Sequence, residues 1–282
     1  MSTAVQRSIN RNPRVVFTPG SVFFFLLHFA ALGAVIAIPW YPPSVGMLLA
    51  VLALFVVRKF GITGGFHRYF SHRSFKTSRF FQFCLAYLGG MAAQKGALWW
   101  AANHRHHHQH SDEPEDLHSV KQHGLYWAHV GWILSDEYSE YDGQRVKDLT
   151  KFPELVWLDK YHFVPPLTLA IACLALGGWM GLFWAFCVST VFLYHTTFCI
   201  NSLCHLLGRR RFETGESSKN SLIMAILTLG EGWHNNHHHY PHCVRQGFKW
   251  WEFDPTYYAI KVLGWFRIVR DIKEPPKALR MA

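Results

Sequence analysis

Charge is what this chain of 282 residues has least of: 16% of it is Asp, Glu, Lys or Arg, against about 25% in ordinary soluble domains. The shortage is also uneven. No charged residue occurs from position 15 to 57, and none from 161 to 208. A soluble core does not keep charge out of windows that long. A bilayer-spanning helix needs about 20 apolar residues, so each window holds two spans and a turn. Other absences narrow the field. The six cysteines (84, 173, 187, 199, 204 and 243) form no C-x-x-C pair and no regular spacing, which excludes a disulfide framework and a zinc ribbon. There is no internal repeat, low-complexity linker or glycine-rich phosphate loop, and nothing points to nucleic acid. The N-terminal apolar run lacks a short core ending in a small-residue cleavage site, so it reads as an anchor.

The charge that is present is basic, with a net value of +10. Arg7, Arg11 and Arg14 precede the first window, Arg58 and Lys59 follow it, and Arg209, Arg210 and Arg211 follow the second. The turns around Pro42-Pro43 and Gly177-Gly178 carry none. Cytoplasmic flanks collect Lys and Arg, so both termini and the middle segment are expected in the cytoplasm. The expected fold is an all-α integral membrane protein: four transmembrane helices in two hairpins with a cytoplasmic helical catalytic cap. Its parts are a basic tail (1–18), hairpin one (19–62), a cytoplasmic block (63–160), hairpin two (161–204) and a second cytoplasmic block (205–282). Two further apolar stretches, 80–94 and 222–229, are too short to span and are expected at the interface or in a core. Trp99 and Trp100 suit the headgroup level.

Nineteen histidines are the abundant feature, and most fall in three clusters within the expected cytoplasmic blocks. The first, GFHRYFSHRSF, holds His67 and His72. The second, NHRHHHQHSDEPEDLH, holds His104, His106, His107, His108, His110 and His118. The third, GEGWHNNHHHYPH, holds His234, His237, His238, His239 and His242. On a helix, residues i, i+3 and i+4 share one face. His104, His107 and His108 have that relation, as do His234, His237 and His238. Neighbours within a box diverge by about 100°, which lets them address two different ions. His67 and His72, five apart, do not share a face of an ideal helix, so one of them should sit at or past a helix end. Asn201 and His205, at i and i+4, lie where the last span leaves the membrane. His106, His110, His239 and His242 fall off the shared faces and read as supporting or solvated. His28, His129, His162 and His195 read as isolated hydrogen-bonded residues.

Imidazole suits zinc, copper, iron and nickel alike, so ligand type does not name the metal. The count does help. Eight box histidines plus His205 are too many for one ion and about right for two, whereas a structural zinc closes with four ligands. A histidine-rich metal-binding or transport protein would place ionisable groups along its spans, and no carboxylate lies there.

At these residues the chain resembles the membrane-bound fatty acyl desaturases, specifically the Δ9 group that includes the stearoyl-CoA desaturases. The similarity rests on GITGGFHRYFSHRSF, HRHHH with Asp116 and His118, HVGWIL at 129–134, NSLCH, and GEGWHNNHHHYP, together spanning residues 61 to 241. The resemblance implies two iron ions, electrons from a separate donor, and O2-dependent insertion of a cis double bond into a saturated acyl chain. A membrane hydroxylase using the same chemistry is the enzymatic alternative. By similarity, His67, His72, His104, His108 and His237 would hold one ion. His107, His205, His234 and His238 would hold the other, with Asn201 acting through water. Asp116 and Glu231 are then expected to orient imidazoles. The resemblance also places an aromatic length gate near Phe55 in the acyl tunnel.

Where relatives that use acyl-CoA carry basic residues, this chain has Ala102-Asn103 and Ser135-Asp136-Glu137. Acidic residues repel a phosphate-rich carrier, so an acyl-lipid or acyl-carrier-protein substrate competes with acyl-CoA. No haem or flavin is expected in the chain. A ferredoxin or rubredoxin is the expected kind of donor, which the basic face would steer; the same charge also suits anionic membrane lipid.

Overall fold

The charge-free windows become helices in the computed structural model, which describes residues 18–281; nearly all of the expected basic tail lies outside them. Helix α1 (Pro19–Ile36) starts on Thr18, whose side chain accepts from the Ser21 N–H at 3.2 Å, with proline in its first turn. Helix α2 (Val45–Phe60) starts on Ser44, which accepts from Met47 N–H at 3.1 Å. Apart from Arg58 and Lys59 in the last turn of α2, both are apolar all round. Phe29 on α1 and Leu49 on α2 are exposed, a surface that water does not tolerate and lipid does.

Three continuous helical stretches are long and apolar enough to cross a membrane: Pro19–Ile36, Val45–Ser71 and Val164–Leu206. The third, at 43 residues, would reach about 64 Å if straight, twice the thickness of a hydrocarbon core. It is not straight. Gly178 sits at φ 58°, ψ −153°, outside the helical region. A Cβ built on Gly181 would lie 2.1 Å from the Cys173 carbonyl oxygen, although eight residues of continuous helix separate two atoms by about 12 Å. The chain therefore folds back on itself, with helix α7 (Val164–Met180) on one side and a π-helical stretch (Gly181–Val188) on the other. Helix α8 (Ser189–Asn201) continues from it.

Past α2 the chain winds into a second π-helical stretch, Gly61–Ser71, which carries the first histidine cluster towards the second. Helix α3 (Arg79–Gly90) crosses it closely. A Cβ on Gly61 would lie 2.7 Å from backbone atoms of Leu88 and Gly89, so only glycine fits the crossing. Helix α3 is the 80–94 stretch, and it packs in the core without being long enough to span. Helix α4 (Ala97–His110) carries the second cluster. Helix α5 (Val120–His129) and helix α6 (Pro153–Lys160) flank it. Helix α9 (Leu203–Leu206), α10 (Leu222–Leu227), α11 (His234–His239) and α12 (Pro255–Trp265) complete the second block. A two-strand antiparallel ribbon, β1 (Lys76–Thr77) with β2 (Val269–Arg270), pins the C-terminal segment to the first block.

One expectation is corrected by burial. Arg58 and Lys59, read from sequence as a basic membrane flank, are wholly buried. Arg58 donates to Thr190 Oγ1 at 2.7 Å and to Ser189 Oγ, and Lys59 donates to Thr197 Oγ1 at 2.9 Å. They tie α2 to α8 through hydroxyls that are themselves bonded back to their own helix.

Candidate metal centre and its two cavities

Histidines far apart in sequence meet in two adjoining groups. The first comprises His67, His72, His104, His108 and His237, and the second His107, His205, His234 and His238. Within each, one nitrogen of every ring lies within 4.8 Å of the others. The π-helical stretch explains how His67 and His72 cooperate. The His72 N–H bonds to the His67 carbonyl at 3.1 Å, a five-residue step, with His72 at the helix cap. That step brings the ring centroids to 4.8 Å. On α4 and α11 the i, i+3, i+4 spacing does the rest.

The spacing tests whether metals fit. In the first group the Nε2 atoms follow one another at 3.0 Å (His67 to His237), 3.0 Å (His237 to His108), 3.1 Å (His108 to His104) and 2.8 Å (His104 to His72). Imidazole nitrogens about 2.1 Å from one metal and at right angles would be ~3.0 Å apart. In the second group His205, His234 and His238 follow at 3.2 Å, and the buried His107 Nε2 has no partner at all. Protons alone cannot satisfy such a set. The His67 Nδ1 faces the Glu231 carboxylate at 2.5 Å and so carries the ring proton, leaving a lone pair on Nε2 directed at His237. Lone pairs converging at 3 Å call for a cation between them. The residues fit a pair of metal ions.

Burial and the neighbouring rings push His72, His104, His108, His234, His237 and His238 well below the ordinary imidazole range. Neutral rings are what a metal needs. His107 differs. Burial would lower it, but the Asp116 carboxylate 2.9 Å from its Nδ1 wins and raises it. Burial also works to raise the Glu231 carboxyl, yet His67 and Arg68 hold it at about 2. Glu231 receives Arg68 Nη2 at 3.0 Å and Gln246 Nε2 at 3.0 Å, which fixes the carboxylate that fixes His67.

Asp116 and Glu231 thus stand beside the Nδ1 atoms of His107 and His67. Three supporting residues escaped that reading. Glu216 lies 3.7 Å from Nδ1 of both His205 and His238, Ser217 Oγ lies 3.1 Å from His205 Nδ1, and Gln246 lies between His67 and His237. The loop holding Glu216 has no periodicity to mark it. His118 is buried with its ring centroid 4.4 Å from that of His107. Its Nδ1 lacks a hydrogen-bond partner, and burial first, then the His107 charge, lowers it to about 3. His106 bonds the Glu115 carbonyl, His110 pairs with Glu113, His239 stacks on Phe212 and His242 contacts the His72 carbonyl. His28, His129 and His195 are not isolated as expected. His28 Nε2 meets His195 Nε2 at 3.0 Å, and His195 Nδ1 meets His129 Nε2 at 3.0 Å, a chain joining α1, α8 and α5.

Two cavities reach the histidines from different sides. One, of about 800 Å³, is walled mainly by apolar and aromatic residues, including Phe24, Trp132, Tyr194 and Phe198, and it touches His104 and Asn201. Trp99 and Trp100 line it too. Phe55 does not line it; that ring packs on Phe192 with centroids 4.8 Å apart. The other cavity, of about 730 Å³, is polar. It touches His72, His108 and His238, with Arg73, Arg105 and Lys273 at its walls.

Sequence comparison adds an independent line. The sequence profile of a family described as "Fatty acid desaturase" matches residues 38–263. The chain is 36% identical to an sn-1 stearoyl-lipid 9-desaturase from Anabaena variabilis over 254 residues, covering 90% of this chain and 92% of that protein. It is 34% identical to an sn-2 palmitoyl-lipid 9-desaturase from Nostoc sp. (strain 36), covering 90% of each. It is 36% identical to an icosanoyl-CoA 5-desaturase from Limnanthes douglasii, covering 95% of this chain and 74% of that protein.

Proposed function

The chain belongs to the membrane fatty acid desaturase family, and from that premise we propose that it inserts a cis Δ9 double bond into the acyl chain of a membrane lipid. As a member it is an O2-dependent oxidoreductase of fatty acyl chains. The observation that carries the finer reading is an aromatic cavity of about 800 Å³ that touches His104 of the first histidine group, with the second group adjoining the first. We assign iron to both groups, with the nine histidines as ligands and Asn201 acting through water. Bound iron would supply O2 activation and the oxidising power to break two C–H bonds. In balance, O2 takes four electrons, two from the acyl CH2–CH2 unit and two from a donor, and becomes two waters.

The protein's own residues divide this labour. Glu231, Asp116 and Ser217 hold the Nδ1 atoms of His67, His107 and His205 so that Nε2 lone pairs face inwards. The aromatic cavity excludes water and lays a saturated chain beside His104. An acyl-lipid substrate is favoured over acyl-CoA because Lys95 is the single Lys or Arg among the described residues lining that cavity. At the place where a nucleotide contact would be needed, Asn103 turns inwards to the Trp99 carbonyl at 3.1 Å. The polar cavity, lined by Arg73, Arg105 and Lys273 together with Glu113 and Glu216, is the side from which an electron carrier of the ferredoxin or rubredoxin kind would approach. The fold-back at Gly178 supports four spans in two hairpins, and Pro42 and Gly178 then lie outside, with the termini and the histidine groups in the cytoplasm.

Lipid analysis by gas chromatography and mass spectrometry, after expression in a host without a desaturase of its own, tests the reading. A new monounsaturated acyl chain with the bond at carbon 9 is expected, and it should vanish in His205→Ala. A hydroxylated product would overturn the reaction; a double bond elsewhere would overturn the position alone.

A further inference from the structure

The cavity that reaches His104 has an outer wall made of membrane-facing residues. Pro19, Gly20 and Phe23 supply one side from the first turns of α1, and Phe163 and Leu167 the other, from the start of α7. Phe23, Phe163 and Leu167 are 41%, 54% and 52% exposed, and both helices are apolar enough to cross a bilayer. Faces of that kind meet lipid, so the gap between these two helix starts opens sideways into the membrane. Inwards it runs past Phe24 and Phe198 to Trp100 and His104.

A smaller hollow of about 330 Å³ adjoins the same mouth and shares Lys95, Trp99, Ser139 and His162 with it. Glu140, Tyr141 and Asp159 complete its wall. The single Lys or Arg among its described residues is already engaged: Lys95 Nζ donates to the Ser139 carbonyl at 3.0 Å and lies 4.7 Å from the Trp99 ring centre. A phosphate here would face two carboxylates against one occupied ammonium. A hydroxyl-rich group can instead donate to Glu140 and lie against the aromatic rings, while Asp159 Oδ1 already accepts from the Leu98 and Trp99 N–H groups at 3.0 Å.

We propose that a membrane lipid feeds its acyl chain sideways through the gap between α1 and α7, while the adjoining hollow holds an uncharged, hydroxyl-bearing headgroup. This rests on the acyl-lipid reading above and specifies both the route and the headgroup.

The test uses the iron-loaded enzyme in nanodiscs containing a diacyl lipid with a photoactivatable diazirine on its acyl chain. Adducts are mapped by mass spectrometry, and iron content and turnover are read on the same samples. The parent should carry adducts on the interior residues Trp100 and Phe198. Leu167→Trp, which fills the gap, should lose interior adducts and turnover at least tenfold with its iron retained. Phe23→Trp on the facing helix repeats the test independently. Leu176→Trp, on the same helix but 90% exposed and away from the gap, should behave as the parent. Interior adducts at parental level in both gap-filling variants would overturn the route while leaving the desaturase reading intact. Turnover of free acyl-CoA but of no acyl-lipid would overturn that reading itself. With identical acyl chains, a glycosyl-diacylglycerol should be desaturated at least tenfold faster than phosphatidylglycerol; equal or reversed rates would overturn the headgroup.

Discussion

Glu231 shows how much one carboxylate organises. It touches His67 Nδ1, Arg68 and Gln246, all buried. Its depressed pKa reflects charges that must stay paired, because an uncompensated buried charge costs about 3–5 kcal/mol. Asp254 also reaches Arg68, at 2.9 Å, so the guanidinium keeps a partner if Glu231 is neutralised. Glu231→Gln should therefore fold but bind iron about 10–100-fold more weakly, the usual effect of losing a carboxylate behind a ligating histidine. Iron titration of the purified variant measures this. Affinity equal to the parent would mean that Glu231 serves Arg68 alone. Glu231 was readable because it lies within the third cluster, three residues before His234. Glu216 and Gln246 were not, since nothing in their own neighbourhoods distinguishes them from other polar residues.

Among the elements, the π-helical stretch Gly61–Ser71 has the most demanding position. It must bring His67 and His72 together, ring centroids 4.8 Å apart, while α3 crosses at backbone contact. Gly61 and Gly89 make that crossing possible, and a Cβ on Gly89 would sit 2.3 Å from the Phe66 ring. Gly61→Ala should destabilise the protein by about 1–3 kcal/mol, the usual cost of forcing extra volume into a packed site, and should lower iron content as the first histidine pair shifts. Gly46→Ala is the matched control, since its added Cβ meets nothing closer than Ser44 Oγ at 3.8 Å. Thermal unfolding of both variants in one detergent decides it. Equal transitions would show that the crossing relaxes without cost. The H-x4-H spacing signalled an irregular helix end but not a five-residue step, because periodicity assumes the ordinary α-helix.

For the whole molecule, the arrangement makes a topological demand: every ligand must face one compartment. Phe80–Gln94 cannot be a crossing without separating the first two clusters, and α3 is indeed a short packed helix. Single cysteines in a background without the native six provide the check. A cysteine at 42 should react with an impermeant reagent from outside intact cells, and cysteines at 113 and 213, both exposed, only after the membrane is opened. Outside labelling at 113 would contradict the shared site. The same scale holds features that no window of sequence contains. The two cavities approach the histidines with different chemistries, one aromatic and one polar, and each is walled by residues from several distant segments.

The sequence by itself determined the membrane class, through windows without charge, and the gathering of histidines on shared faces, through their i, i+3 and i+4 spacing on two helices. These are local properties, written in composition and helical period, and they survive without knowledge of packing. Tertiary structure alone decided which charges are buried. Arg58 and Lys59 look like a membrane flank until Ser189, Thr190 and Thr197 are seen across from them. It also decided that His28, His129 and His195 join in one chain, that Trp99 and Trp100 wall a cavity, and that Phe55 packs outside it. Each of these depends on contacts between segments tens to more than a hundred residues apart, and no local period encodes such a contact.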